Sequence, residues 1–220
     1  MDDFNVRVKI CGITRSEDAA AAVQAGAHAL GFVFYEGSPR YVTPERAGEI
    51  IKALPAFVQS VGLFVNTGRE EVQRIAAVSG IQAIQLHGDY TPEECSGYSR
   101  PVIKVFRVKD ASVLSRLEEY RTAGMLIDAA VPGKWGGTGQ SLDWHAVAAF
   151  LDNGNGDLRT RLILAGGLNP ENVGRAVRLV RPYAVDVSSG VEDEPGIKNH
   201  RKIKEFMHAV HNATRTDTAA

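Results

Sequence analysis

Apolar and polar residues along this chain fall into blocks rather than into strict alternation. Aliphatic and β-branched runs begin near Val6 (VRVKIC), Ala29 (ALGFVF), Gln59 (QSVGLFV), Ala83 (AIQLHG), Pro101 (PVIKVFRV), Gly124 (GMLIDAAV), Arg161 (RLILAGG) and Tyr183 (YAVDVSSG). Most are continuously apolar, as strands covered on both faces should be. Their spacing of roughly 20–35 residues is the rhythm of repeating βα units. Helix signals lie between them. Thr14 with Glu17, Thr67 with Glu70 and Thr91 with Glu94 are spaced as capping boxes. Pro44, Pro92 and Pro170 suit a first helical position, and Gly26 and Gly80 suit helix ends. Ile203, Phe206, Met207 and Val210 repeat as the buried stripe of a last helix.

Eight strands alternating with helices predict a single-domain α/β fold, a (β/α)8 TIM barrel over residues 1–211. Residues 212–220 have little to pack and read as a frayed, disordered tail. A doubly wound open sheet is the structural alternative, although it more often uses five to seven strands. The polar DNGNGD at Asp152 to Asp157 reads as a loop before the seventh strand.

Composition narrows the function classes. Of 220 residues, 44% are hydrophobic and 23% charged, with a formal net charge of −1. That balance lacks the basic footprint of a protein living on nucleic acid or on an anionic membrane. It leaves room for a small anionic ligand held by a few oriented donors. The opening MDDFNVRVKI has no apolar signal core, and no run approaches the ~18–20 apolar residues of a membrane span. The expectation is therefore a cytoplasmic protein. Cys11 and Cys95 are too few for a disulfide framework, and the Asn212 to Thr214 sequon reads as chance. Histidine spacing suggests no metal site, GGTG is no dinucleotide fingerprint, and no cofactor is expected.

Reactive side chains of such a barrel gather at the C-terminal ends of its strands. The candidates there are Cys11, His87, Asp128, the Gly166-Gly167 turn, Asp186 and the Ser188-Ser189-Gly190 turn. Each has a plain structural alternative. Free cysteine is among the most buried residue types, yet a cysteine before a helix start is favoured as thiolate. Asp128 is poor core material unless paired, and a structural cap would also place it there. His87 suits proton transfer or a hydrogen-bonded strand end. Cys95, inside the helix expected after Thr91, reads as structural. Arg40, in SPRYV, is an ordinary surface arginine or a rigid fork for a carboxylate. The glycine turns after strands seven and eight would together hold phosphate. Gly137, in the PGKWGGTGQS loop with Lys134, joins the phosphate-binding candidates, the loop being a lid or a long turn.

Taken in order, KICGIT from Lys9, GFVFYEGSPRYV from Gly31, QLHGD from Gln85, LIDAAVPGKWGGTG from Leu126, LAGGLNPENV from Leu164, DVSSGVE from Asp186 and the PGIK that follows resemble the phosphoribosylanthranilate isomerase family of tryptophan biosynthesis. The resemblance runs nearly end to end. It implies a small (β/α)8 barrel and an Amadori rearrangement of N-(5-phosphoribosyl)anthranilate. It places the general base at Cys11, the general acid at Asp128 and the anthranilate carboxylate on Arg40. His87 and Asp186 fall at substrate-facing strand ends. The implied partner is a phosphorylated small molecule, with the chain a monomer or a homodimer. One departure is Asn199, where many relatives carry Asp, and little consequence for catalysis is expected. The related isomerase of histidine biosynthesis would carry an aspartate where this chain has Cys11 and a second phosphate loop in the first half. A barrel that only bound a phosphorylated metabolite would need neither Cys11 nor Asp128.

Overall fold

The computed structural model describes residues 5–108, 112–129 and 143–215. The first half runs β1 (Arg7–Cys11), α1 (Ser16–Gln24), β2 (Ala29–Val33), α2 (Pro44–Lys52), β3 (Gln59–Val65), α3 (Arg69–Ser79) and β4 (Ala83–His87). Then come β5 (Val102–Val108), the short α4 (Ser112–Ser115), β6 (Gly124–Ala129), α5 (Trp144–Asp152), β7 (Leu162–Leu164) and α6 (Val173–Val180). The chain ends with β8 (Ala184–Val187), a hairpin of β9 (Glu192–Glu194) and β10 (Ile197–Lys198), and α7 (His200–Thr214). The eight parallel strands β1 to β8 form one closed barrel in chain order, so no open edge remains. Closure settles the choice between barrel and open sheet.

Side chains alternate across the pleat. One set packs outward onto the helices, with Ile10, Leu30, Phe32, Phe64, Leu86 and Val185 at or near zero exposure. The other fills the barrel axis with Val61, Ala83, Ile103, Val105, Leu126, Ile163, Ala165 and Ala184. Towards the C-terminal mouth the axial positions turn polar: Lys9, Gln85, His87, Asp128 and Asp186 are all buried.

Local signals met tertiary competition. Thr43 caps α2 by accepting from Arg46 N at 3.2 Å, with Pro44 in the first turn. Thr14 caps nothing: α1 opens after Arg15 with no side-chain cap, and Thr14 Oγ1 donates instead to the Gly196 carbonyl. Thr67 likewise donates to Val65 O, and Gly68 precedes α3. Thr91 and Glu94 do form the reciprocal box, at 2.7 and 3.2 Å, but over a turn rather than a helix. That turn stops because Gly97 takes φ +74° and Arg69 claims the Ser96 carbonyl at 2.6 Å. Cys95 is therefore a buried turn residue, not a helical one. Pro170 lies in the turn before α6, where Asn169 Oδ1 accepts from Glu171 N and Asn172 N. Helix α7 continues past residue 211 to Thr214, with Ala213 extending its buried stripe, so residues 212–214 are helical rather than frayed. Residues 216–220 lie outside the described residues. Among the described residues no helix is long and apolar enough to cross a membrane.

Phe206 is fully buried on α7. Phe206→Ala should cost about 3–5 kcal/mol in urea unfolding through the cavity it leaves. A loss below about 1 kcal/mol would mean that α7 is not part of the core.

Candidate active site

The site begins where the barrel closes. β1 and β8 pair in parallel with Lys9 opposite Asp186, and the two side chains form a buried ion pair at 2.8 Å. Two residues further along, Cys11 presents on the same face. Gly31, its neighbour on β2, keeps the space open: a Cβ there would sit 2.7 Å from Cys11 Sγ and 3.1 Å from Lys9 Cε. Burial pushes the Cys11 thiol above its ordinary 9.0, and Asp186 adds to this. The Lys9 and Lys198 ammonium groups pull the other way without prevailing. This corrects the expectation of a thiolate favoured by the following helix, which starts only at Ser16. Burial also opposes the Lys9 charge, but Asp186 and Cys11 outweigh it and its pKa rises.

Strands four and six supply the next groups. His87 is buried at the end of β4, and Gln85 Nε2 donates to its Nε2 at 2.9 Å in the assigned amide orientation, which leaves the ring proton on Nδ1. Burial, then Lys9, Lys104 and Arg107, lower its pKa to about 3, so the imidazole is neutral near pH 7. Asp128 sits on β6, 7% exposed, in register with Arg107 of β5.

After β7, Gly166 and Gly167 both take positive φ (87° and 68°), giving a turn without side chains where a ligand reaches backbone. Asn172 Nδ2 braces it on the Gly167 carbonyl at 2.9 Å. The turn after β8 presses against it, since a Cβ on Gly190 would lie 1.9 Å from Leu168 O. Among the described residues Ser188 Oγ is buried without a hydrogen-bond partner.

Most of these groups line one open cavity at the C-terminal mouth of the barrel. Cys11, Arg40, His87, Asp128, Gly166, Gly167, Asp186 and Ser189 all border it. Gly190 does not; it stands behind the wall, allowing the two turns to touch. Gly137 and Lys134 lie outside the described residues. Arg40 is no free surface arginine: its Nε and Nη2 hold Glu192 bidentately, with the shortest contact at 2.7 Å.

Sequence reading missed Lys9, Gln85, Glu192 and Lys198. The available signal was a polar residue inside an apolar run, as in VRVKIC, AIQLHG and GIK, because a covered strand tolerates one only with a partner. Asn199 proves to be the α7 cap. Its Oδ1 accepts from Lys202 N at 2.9 Å and its Nδ2 donates to Asp193 at 2.7 Å, away from the cavity. Among the described residues no cluster of three or more His, Cys, Asp or Glu is arranged to hold a metal ion.

Because the folded His87 has its pKa depressed below the ordinary 6.5, protons bind preferentially to the unfolded chain. Its contribution to stability is full above 6.5 and is lost as pH falls towards 3. The His87 ring resonances should stay those of the neutral form from pH 7.5 to about pH 5 in an NMR titration. A midpoint near 6.5 would contradict the buried, cation-flanked environment.

Comparison with known proteins meets this geometry. The family profile described as N-(5'phosphoribosyl)anthranilate (PRA) isomerase matches residues 8–209. The N-(5'-phosphoribosyl)anthranilate isomerase of Geobacter metallireducens is 53% identical over 202 residues, which cover 92% of this chain and 97% of that one. The crystal structure of phosphoribosyl anthranilate isomerase from Thermotoga maritima matches with a TM-score of 0.86 and 44% identity, covering 94% of this chain and 100% of its own. A structure of the isomerase in complex with reduced 1-(o-carboxyphenylamino)-1-deoxyribulose 5-phosphate matches at 0.82 with 42% identity and the same coverages. A closed barrel, a mouth lined by a thiol, a carboxyl and two glycine turns, and a profile match over almost the whole length agree that this chain belongs to the phosphoribosylanthranilate isomerase family.

Proposed function

We propose that this enzyme carries out an Amadori rearrangement of N-(5'-phosphoribosyl)anthranilate in tryptophan biosynthesis, by general acid–base catalysis between Asp128 and Cys11. The observation that carries the reading is that both residues border one cavity, three strands apart around the barrel, between the glycine turns and Arg40. The ligand of the related complex has the two anionic ends this arrangement suits, a phosphate and an aromatic carboxylate. The turns after β7 and β8 take the phosphate, and Arg40 takes the carboxylate.

Protonated Asp128 gives its proton to the furanose ring oxygen. The C1–O bond breaks and the nitrogen lone pair closes a C1=N iminium. The Cys11 thiolate then removes the proton from C2, and the C–H electrons form C1=C2 while the iminium electrons return to nitrogen. The resulting enolamine tautomerises, gaining a proton at C1 and becoming a ketone at C2. The reactive form thus pairs an ionised thiol with a neutral carboxyl, and it is a minor form near neutral pH because burial raises the thiol pKa. Lys9 and Lys198 support the first of these by lowering the thiol pKa against the cost of burial. Neutral His87 offers a hydrogen bond to substrate without adding charge beside Lys9.

Cys11→Ser and Asp128→Asn should each lower kcat by about 10²–10⁴. Both should bind the reduced product analogue with nearly unchanged affinity, because neither holds an anionic end of the ligand. Substantial turnover by Cys11→Ser, purified from a host lacking its own isomerase, would remove the thiol from the reaction. Gly167→Asp places a side chain and a negative charge in the phosphate turn and should raise KM strongly in a chain that still folds. An unchanged KM in that folded variant would move the phosphate elsewhere.

A further inference from the structure

The hairpin after β8 is not required to close the barrel, yet it reaches the loops after β1 and β2. Thr14 Oγ1 donates to Gly196 O at 2.6 Å, and a Cβ on Gly196 would lie 3.2 Å from Pro39 O. Two charged side chains run inward from it, Glu192 and Lys198, with side-chain exposures of 4% and 0%. Glu192 accepts from Arg40, from Lys198 Nζ at 2.7 Å and from Gly196 N at 3.2 Å. Lys198 Nζ also donates to Cys11 O and to Ser188 O. Arg40 is held on its other side as well: its Cδ lies 2.7 Å from where a Gly12 Cβ would stand.

We propose that Glu192 and Lys198 are positioning residues that set the affinity of the site for the ring carboxylate of its substrate by fixing Arg40 without cancelling its charge. This rests on the reading of Arg40 as the carboxylate's partner. A carboxylate locked onto an arginine leaves a neutral pair with little pull on a second carboxylate. Lys198 restores the missing charge: burial pushes its pKa down, Glu192 opposes that loss, and the hydrogen bonds of its head group are those of an ammonium. Its three acceptors are Glu192 Oε1, Cys11 O and Ser188 O, which use all three protons of an ammonium and one more than a neutral amine carries. The triad of Arg40, Glu192 and Lys198 therefore carries one net positive charge, with only Arg40 bordering the cavity. Glu192 stays ionised, since Arg40 and Lys198 more than offset the upward push of burial and hold its pKa below 4.5. The same ammonium ties the ends of β1 and β8 together beside Cys11 and the phosphate turn.

The test uses two phosphorylated ligands, the reduced carboxyphenylamino product analogue and its phenylamino counterpart lacking the ring carboxylate. Glu192→Gln should weaken the first by roughly 10- to 100-fold, the cost of a lost hydrogen bond to a charged group. It should leave the second unchanged, and KM should rise far more than kcat falls. In Arg40→Ala, adding Glu192→Gln should cost nothing further. Equal weakening of both ligands, no weakening of either, or additive losses would overturn the proposal. If Glu192→Gln does not fold, Glu192→Gln/Lys198→Met removes both buried charges of the pair and is read the same way. Wild-type protein indifferent to the ring carboxylate would instead overturn the assignment of Arg40, whatever Glu192 does.

Discussion

The ion pair between Lys9 and Asp186 lies on the seam where the first and last strands of the barrel meet, and the site is arranged around it. The two residues stand 177 positions apart in sequence and directly opposite in register. A charge of either sign alone at that depth would be prohibitively costly, whereas the pair is tolerable because each partner desolvates against the other. Above it the same seam carries Cys11, and above that Lys198 joins the Cys11 and Ser188 carbonyls. The thiol is thus buried, with an ammonium on either side. Its proton is held by burial, and the two cations limit how tightly.

The hairpin makes the seam rigid by further stitching outside the cavity. Asp18, fully buried on α1, accepts from Lys198 N at 3.1 Å and pairs with Arg15 and His200. One aspartate thereby links α1, β10 and α7. The strand ends that carry Cys11 and the Ser188 turn are held by backbone bonds below and charged bonds above. The two glycine turns need no comparable support, since their contact is backbone against backbone at Gly190 and Leu168.

The eight strands were legible because each is an apolar run bounded by polar turns, and a closed parallel barrel buries both faces. Strand-end reading also brought Cys11, His87, Asp128 and Asp186 to one cavity, since pleat alternation and parallel direction send those positions to the same mouth. Three things were hidden. Thr14 and Thr67 have capping spacing but spend their hydroxyls on other loops, a competition that no local window reveals. The ionisation of Cys11 depended on the depth of burial and on Lys9, not on the nearest helix. Arg40, legible as a fork for a carboxylate, already holds one from a segment 152 positions away. Pairings of that separation leave only the trace of a charge in an apolar stretch.

In the proposed reaction the thiol and carboxyl that face each other across this mouth turn an aminoaldose into an aminoketose. The direct measurement is nuclear magnetic resonance of N-(5'-phosphoribosyl)anthranilate labelled with carbon-13 at C2, followed after addition of the purified protein. The labelled signal should move from the carbinol to the ketone region at catalytic enzyme concentrations. A signal that remains a carbinol while the ligand binds would contradict it and leave a barrel that holds the phosphoribosylamine without isomerising it.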